Sequence, residues 1–136
     1  MIRPPSLSPD RPRALRLGGA LTLLTALAAP AAEAQSADGE RLFRQRCAAC
    51  HSIEEGATGS GPSLHGVVGR EAGTLEGARY SSAMQEAGLV WDDQTLDAFL
   101  ANPRDTVPGT TMAVRITSAA QRSAIIAFLR EAGAGG

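Results

Sequence analysis

The chain contains no lysine, so all thirteen basic side chains are arginines, set against fourteen acids. A net charge of −1 provides none of the broad basic field that nucleic-acid binding needs. Cysteine is nearly as scarce, with two in 136 residues. That number cannot complete a four-thiolate zinc site, and the two thiols lie only three positions apart, a poor separation for a disulfide within a helix. Three Phe, one Tyr and one Trp leave a small domain short of core material. No long hydrophobic run is present either: the Leu- and Ala-rich stretch 17–29 falls short of the roughly 20 residues that span a bilayer. Strand alternation, internal repeats, and the marks of hydrolytic or phosphate chemistry are all missing.

What is there begins with an address. Arg3, Arg11, Arg13 and Arg16 stand among prolines ahead of that apolar stretch, and Ala32-Glu33-Ala34 follows it. The arrangement predicts a signal peptide over 1–34, cleaved before Gln35, with a periplasmic domain at 35–136 and no stable membrane insertion. An uncleaved N-terminal anchor is the other reading of the same residues.

Both cysteines fall in Cys47-Ala48-Ala49-Cys50-His51. Two thiols separated by two residues and followed at once by histidine form the c-type haem attachment pattern, each thiol adding across a porphyrin vinyl group. Without His51 the pair could equally be a redox dithiol or half a zinc site. A dithiol of that kind belongs to a βαβ setting, however, and the zinc site would need two more thiols. The pattern therefore implies one covalent haem c on Cys47 and Cys50, with His51 meeting the iron. A large apolar porphyrin also makes up for the missing core.

Around this motif the pattern predicts an all-α domain. Asp38 and Glu40 suit the positive end of a first helix running into the motif, with Gly39, Phe43, Cys47 and Cys50 on one buried face. Residues 52–77 read as a loop wrapping the cofactor. Ser81–Ala87 can make two helical turns stopped by Gly88. Asp92 can cap a helix that faces Leu96, Phe99 and Leu100 inward and ends at Asn102-Pro103. Val107–Arg115 is again a loop. In the last helix Ser118 and Gln121 form a capping box, Ile125, Phe128 and Leu129 make the apolar stripe, and Gly133 closes it. Gly39 opposite Ile125 and Phe128 predicts that the first and last helices cross closely.

Further motifs follow in order: Gly61-Pro62-Ser63-Leu64-His65-Gly66, Val68-Gly69-Arg70, Tyr80, Trp91, Asn102-Pro103 and Pro108-Gly109-Thr110-Thr111-Met112. Together with the haem motif, and over about Gly39 to Leu129, they resemble the class I c-type cytochromes, the mitochondrial cytochrome c and bacterial cytochrome c2 group. The resemblance implies three main helices plus short helices and loops around one haem, and an electron-carrying function. It further implies that Met112 is the sixth iron ligand and that the Pro62 carbonyl accepts the His51 Nδ1 hydrogen. Tyr80, Trp91 and Arg70 are implied to serve the haem propionates, and Thr110 to hold the ligand loop. Met84 is the other methionine of the mature region and reads more readily as core filler, whereas Met112 follows a rigid Pro-Gly turn. His65 reads as a loop histidine bonded to backbone.

Two departures from the family pattern stand out. Phe99 replaces a common tyrosine and Met84 a common asparagine, each removing a polar group near the haem. The loss of one hydrogen bond selective for a redox state moves a potential by ~40 mV, in a direction the sequence does not fix. The function expected is a soluble, monomeric one-electron carrier and not an enzyme, exchanging electrons with membrane or periplasmic redox complexes of a respiratory or photosynthetic chain. A peroxidase or ligand-binding haem protein with labile Met ligation, or the haem subunit of a larger enzyme, are the alternatives. Arg46, Arg104 and Arg115 could ring the haem edge for docking, or be scattered surface charge.

Overall fold

A computed structural model gives the fold of residues 29–57 and 59–134; most of the expected signal segment lies outside these described residues. Five helices appear among the described residues, in chain order: α1 (Ala29–Arg46), α2 (Ser82–Gln85), α3 (Asp93–Ala101), α4 (Pro103–Thr106) and α5 (Ala119–Ala134). No strand occurs among the described residues. A single antiparallel bridge joins Glu71 to Val90.

The frame is the crossing of α1 and α5. Gly39 makes it possible, because a Cβ there would lie 2.0 Å from the Ala124 carbonyl oxygen and 2.7 Å from Phe128 Cβ. The backbones therefore approach more closely than any other residue permits. Phe43 and Phe128 pack beside the crossing with ring centroids 5.5 Å apart, and Leu42, Ile125 and Leu129 complete the buried interface. Ile125 and Phe128 are both buried as expected, although the atoms nearest Gly39 belong to Ala124 and Phe128.

Local chemistry explains the ends of α3. The Asp92 carboxylate accepts the Thr95 N–H at 2.8 Å, and the Thr95 hydroxyl oxygen accepts the Asp92 N–H at 2.9 Å. These reciprocal bonds satisfy two donors that the first turn would otherwise leave open, and the Thr95 N–H together with the Thr95 hydroxyl, each donating to the carboxylate, holds the Asp92 carboxyl below its usual range. Leu96, Phe99 and Leu100 face inward.

Several expectations are corrected. With residues 29–34 present, α1 runs from Ala29 rather than from near Asp38, and Asp38 and Glu40 pair with Arg41 and Arg44 one turn on; cleavage before Gln35 would leave the helix start within a turn of Asp38. Helix α1 also stops at Arg46, and Cys50 is exposed on the turn that follows instead of sharing the buried face of Phe43 and Cys47. The expected two turns at 81–87 reduce to one, capped by the Ser81 hydroxyl. Asn102-Pro103 ends α3 but also starts α4, since proline at the first helical position has no N–H to lose. Gly133 lies within α5, and a Cβ on it would meet Gly66 Cα at 2.8 Å. Its job is close packing on the loop, not helix termination. Only one arm of the Ser118/Gln121 box is made, with the Ser118 hydroxyl accepting the Gln121 N–H at 3.4 Å.

Candidate functional site

Between α1, α3, α5 and the loops lies a cavity of about 430 Å³. All nine residues singled out in the sequence line it: Cys47, Cys50, His51, Pro62, Arg70, Tyr80, Trp91, Thr110 and Met112. The rest of its wall is largely apolar, with Leu64, Val67, Met84, Leu96, Phe99, Leu100, Ile125 and Leu129. His65 is not among the lining residues; its carbonyl accepts from Arg70 at 3.0 Å.

The turn after α1 presents the motif. Cys47 N–H bonds to Phe43 O at 2.8 Å, and His51 N–H bonds to Cys47 O at 2.9 Å. Cys47 is buried, which raises its thiol pKa by desolvation while nearby Arg46 opposes the rise. The two cysteines form no disulfide with each other. The following loop is bonded back onto the motif through Gly61 N–H to Cys50 O at 2.9 Å and Leu64 N–H to Ser52 O at 2.8 Å. The Ser63 hydroxyl adds a bond to Glu54 O at 2.7 Å.

This loop fixes the state of His51. Its Nδ1 lies 2.7 Å from the Pro62 carbonyl oxygen. A carbonyl only accepts, so Nδ1 carries the hydrogen and Nε2 keeps its lone pair for a metal. Gly61 lies flat against the ring: a Cβ there would come within 2.5 Å of His51 Cε1.

At another part of the wall, Trp91 N–H bonds to Arg70 O at 2.9 Å and Gly69 N–H bonds to Trp91 O at 2.8 Å. These bonds bring the Arg70 and Trp91 segments together. Trp91 packs edge-on to Phe99 with centroids 4.9 Å apart. The Arg70 guanidinium donates Nη1 to His65 O and Nη2 to Ser63 O, at 3.0 and 2.9 Å. Its Nε is buried with no partner among the described residues, and burial lowers the Arg70 pKa while Tyr80 opposes that shift.

The loop after α4 completes the cavity. Thr110 is buried and its hydroxyl oxygen accepts the Met112 N–H at 3.3 Å. Of the three arginines considered for a basic ring, only Arg46 reaches the cavity. Arg79 joins it there, while Arg104 and Arg115 do not. Arg79 and Val67 escaped the reading of the sequence, and Leu64 was noted only as part of a motif, because a loop carries no apolar period to mark which residues turn inward.

These features fit a porphyrin iron. Two thiols stand at attachment spacing beside an imidazole of the correct tautomer, and a thioether lines the same apolar cavity. An orphaned, buried guanidinium N–H meets the need of an anionic propionate, since a buried charge requires a partner. Fold and site together define an all-helical protein built around one covalently attached redox group.

Comparison with known proteins agrees. The cytochrome c family model matches residues 36–133. Cytochrome c of Euglena viridis is 44% identical over 93 residues, covering 68% of this chain and 91% of the relative. Cytochrome c2 iso-2 of Magnetospirillum fulvum is 46% identical over 85 residues, covering 62% and 88%. Among solved structures, cytochrome cH from Methylobacterium extorquens superposes with a TM-score of 0.66 at 41% identity, covering 71% of this chain and 97% of that one. The chain belongs to the cytochrome c family. It has the cytochrome c fold, binds haem c covalently through Cys47 and Cys50, and is a haem electron carrier.

Proposed function

We propose that this protein is a monomeric shuttle, exported to the periplasm after cleavage before Gln35, that passes single electrons between redox complexes of a respiratory or photosynthetic chain. The observation that supports it most is that the His51 imidazole and the Met112 thioether line one cavity, so these two side chains would hold the iron of a bound haem without a ligand from a substrate. When bound, haem supplies a one-electron ferric/ferrous couple.

The chain's own residues then have distinct tasks. Cys47 and Cys50 keep the group attached through repeated cycles. Pro62 holds the His51 ring in one orientation and tautomer, so that side need not rearrange when the charge changes. Met112, a soft donor, favours a higher potential than a second histidine gives. Arg70 would offer its remaining N–H and its charge to a propionate of the bound haem, with Tyr80 and Trp91 lining the same cavity. Phe99 and Met84 offer no hydroxyl or amide to the Met112 region. No described helix is long and apolar enough to cross a membrane.

Met112→Ala tests this reading. The ferric variant should lose the near-infrared band that marks iron–sulfur bonding in this family and gain rapid binding of added imidazole. Retention of that band would overturn it. A second reading, a ligand-binding or peroxidase-like haem protein, draws support from the sparse bonding of the Met112 loop. It predicts that the native ferric protein already lacks the band at neutral pH. A permanently bound haem subunit would instead elute with its enzyme on gel filtration of a native extract.

A further inference from the structure

Arg122, outside the cavity, joins α5 to α3 and to the loop that carries Met112. Its side chain is 12% exposed. Nε and Nη2 donate to the Asp97 carboxylate on α3 at 2.7 and 3.3 Å. Nη1 donates to the Ile116 and Thr117 carbonyls, both at 3.0 Å.

Those carbonyls sit at the downstream end of the ligand loop. Ile116 is fully buried, and its N–H bonds to Leu100 O at 2.8 Å. At the upstream end Val107 and Thr110 are buried, with Thr110 N–H bonded to Val107 O at 3.0 Å. Between these anchors, residues 111–115 make no backbone–backbone hydrogen bond among the described residues. Met112 therefore rides on a span pinned at Thr110 and at Ile116.

We propose that Arg122 is a positioning residue for Met112: by gripping the Ile116 and Thr117 carbonyls it fixes the downstream anchor and sets how readily the sulfur leaves the iron. This rests on reading Met112 as the second axial ligand. A planar guanidinium suits the task because its fixed fork reaches a carboxylate and two carbonyls at once, which a single ammonium cannot do. Arg130 provides an internal contrast. It also links α5 to α3, through Asp93, but is 53% exposed and bonds no loop carbonyl.

The test follows imidazole binding to the ferric holoprotein by stopped flow in native, Arg122→Gln, Arg122→Lys, Asp97→Asn and Arg130→Gln chains, each with and without Met112→Ala. Amide exchange at Ile116 is measured alongside. Arg122→Gln and Arg122→Lys should speed imidazole entry by about tenfold or more, since each loses charge-assisted bonds to the loop, and Ile116 exchange should quicken with it. Arg130→Gln and Asp97→Asn, which leave the carbonyl grip in place, should stay within about twofold of native. In the Met112→Ala background all five chains should bind at one fast rate. If Arg122→Gln yields no holoprotein, Arg122→Lys against Asp97→Asn decides. Arg122 variants no faster than Arg130→Gln overturn the proposal. A native rate unchanged by Met112→Ala overturns the ligand assignment instead, and the two failures are thereby distinct.

Discussion

His51 and Met112 line the same cavity on very different supports. The segment facing His51 is stitched to the haem motif by backbone bonds at Gly61 and Leu64, by the Ser63 hydroxyl, and by the Pro62 carbonyl on the ring itself. The segment bearing Met112 is fastened at its two ends, by its Met112 N–H to the Thr110 hydroxyl oxygen, and by a long bond from Arg115 Nε to Ala101 O. One wall is held along its length by its own bonds; the other depends on its anchors. On the proposed ligation, the contrast teaches that ligand release belongs to the Met112 side, while ring orientation and the potential that depends on it belong to the His51 side.

The largest expected effect comes from removing haem, on which both walls rest. A cavity of about 430 Å³ at ~24 cal/mol per Å³ corresponds to about 10 kcal/mol, as large as the whole stability of a small domain. Haem-free chain should show no cooperative thermal transition by circular dichroism. Next, Gly39→Val drives a side chain into the Ala124 carbonyl at the crossing and should cost about 3 kcal/mol or more in denaturant melts of the holoprotein. If either change disturbs only the Met112 wall, the two-wall picture needs a different frame.

Two smaller changes separate the walls. Gly61→Ala puts a methyl against the His51 ring and should cost about 1–3 kcal/mol, shifting the midpoint potential while leaving imidazole entry unchanged. Thr110→Val removes the acceptor for Met112 N–H and should cost about 1 kcal/mol, with faster imidazole entry. Reversal of those two readouts would undo the contrast.

The smallest effect lies away from both walls. Asp92→Ala removes the α3 cap and should lower the melting temperature slightly at neutral pH. The Asp92 carboxyl is depressed by its bonds to Thr95. Its stabilisation is therefore full above the ordinary carboxylate range and drains as pH falls through the depressed value. The gap between variant and native should close in acid.

Much of this was legible because it is local. Attachment chemistry is written in five consecutive residues, and Asp92 and the α5 stripe follow from cap chemistry and helical period. What stayed hidden depends on distant partners. Asp38 and Glu40 look alike whether they open a helix or pair along one, and the upstream residues decide. Gly133 reads as a terminator until Gly66 is seen beneath it. Asn102-Pro103 reads as an end, although the same proline suits a beginning. Arg122 gave no signal at all, because its main partners are backbone carbonyls, which every residue type carries.

The span from Thr111 to Arg115 has one further meaning. Thr111, Met112, Ala113 and Val114 line the cavity, yet Thr111, Ala113, Val114 and Arg115 also reach the surface, so the arch faces the cofactor and the outside at once. A change in this short arch would therefore be felt by the cofactor as well as by anything that touches the surface there, and the two effects cannot be altered independently.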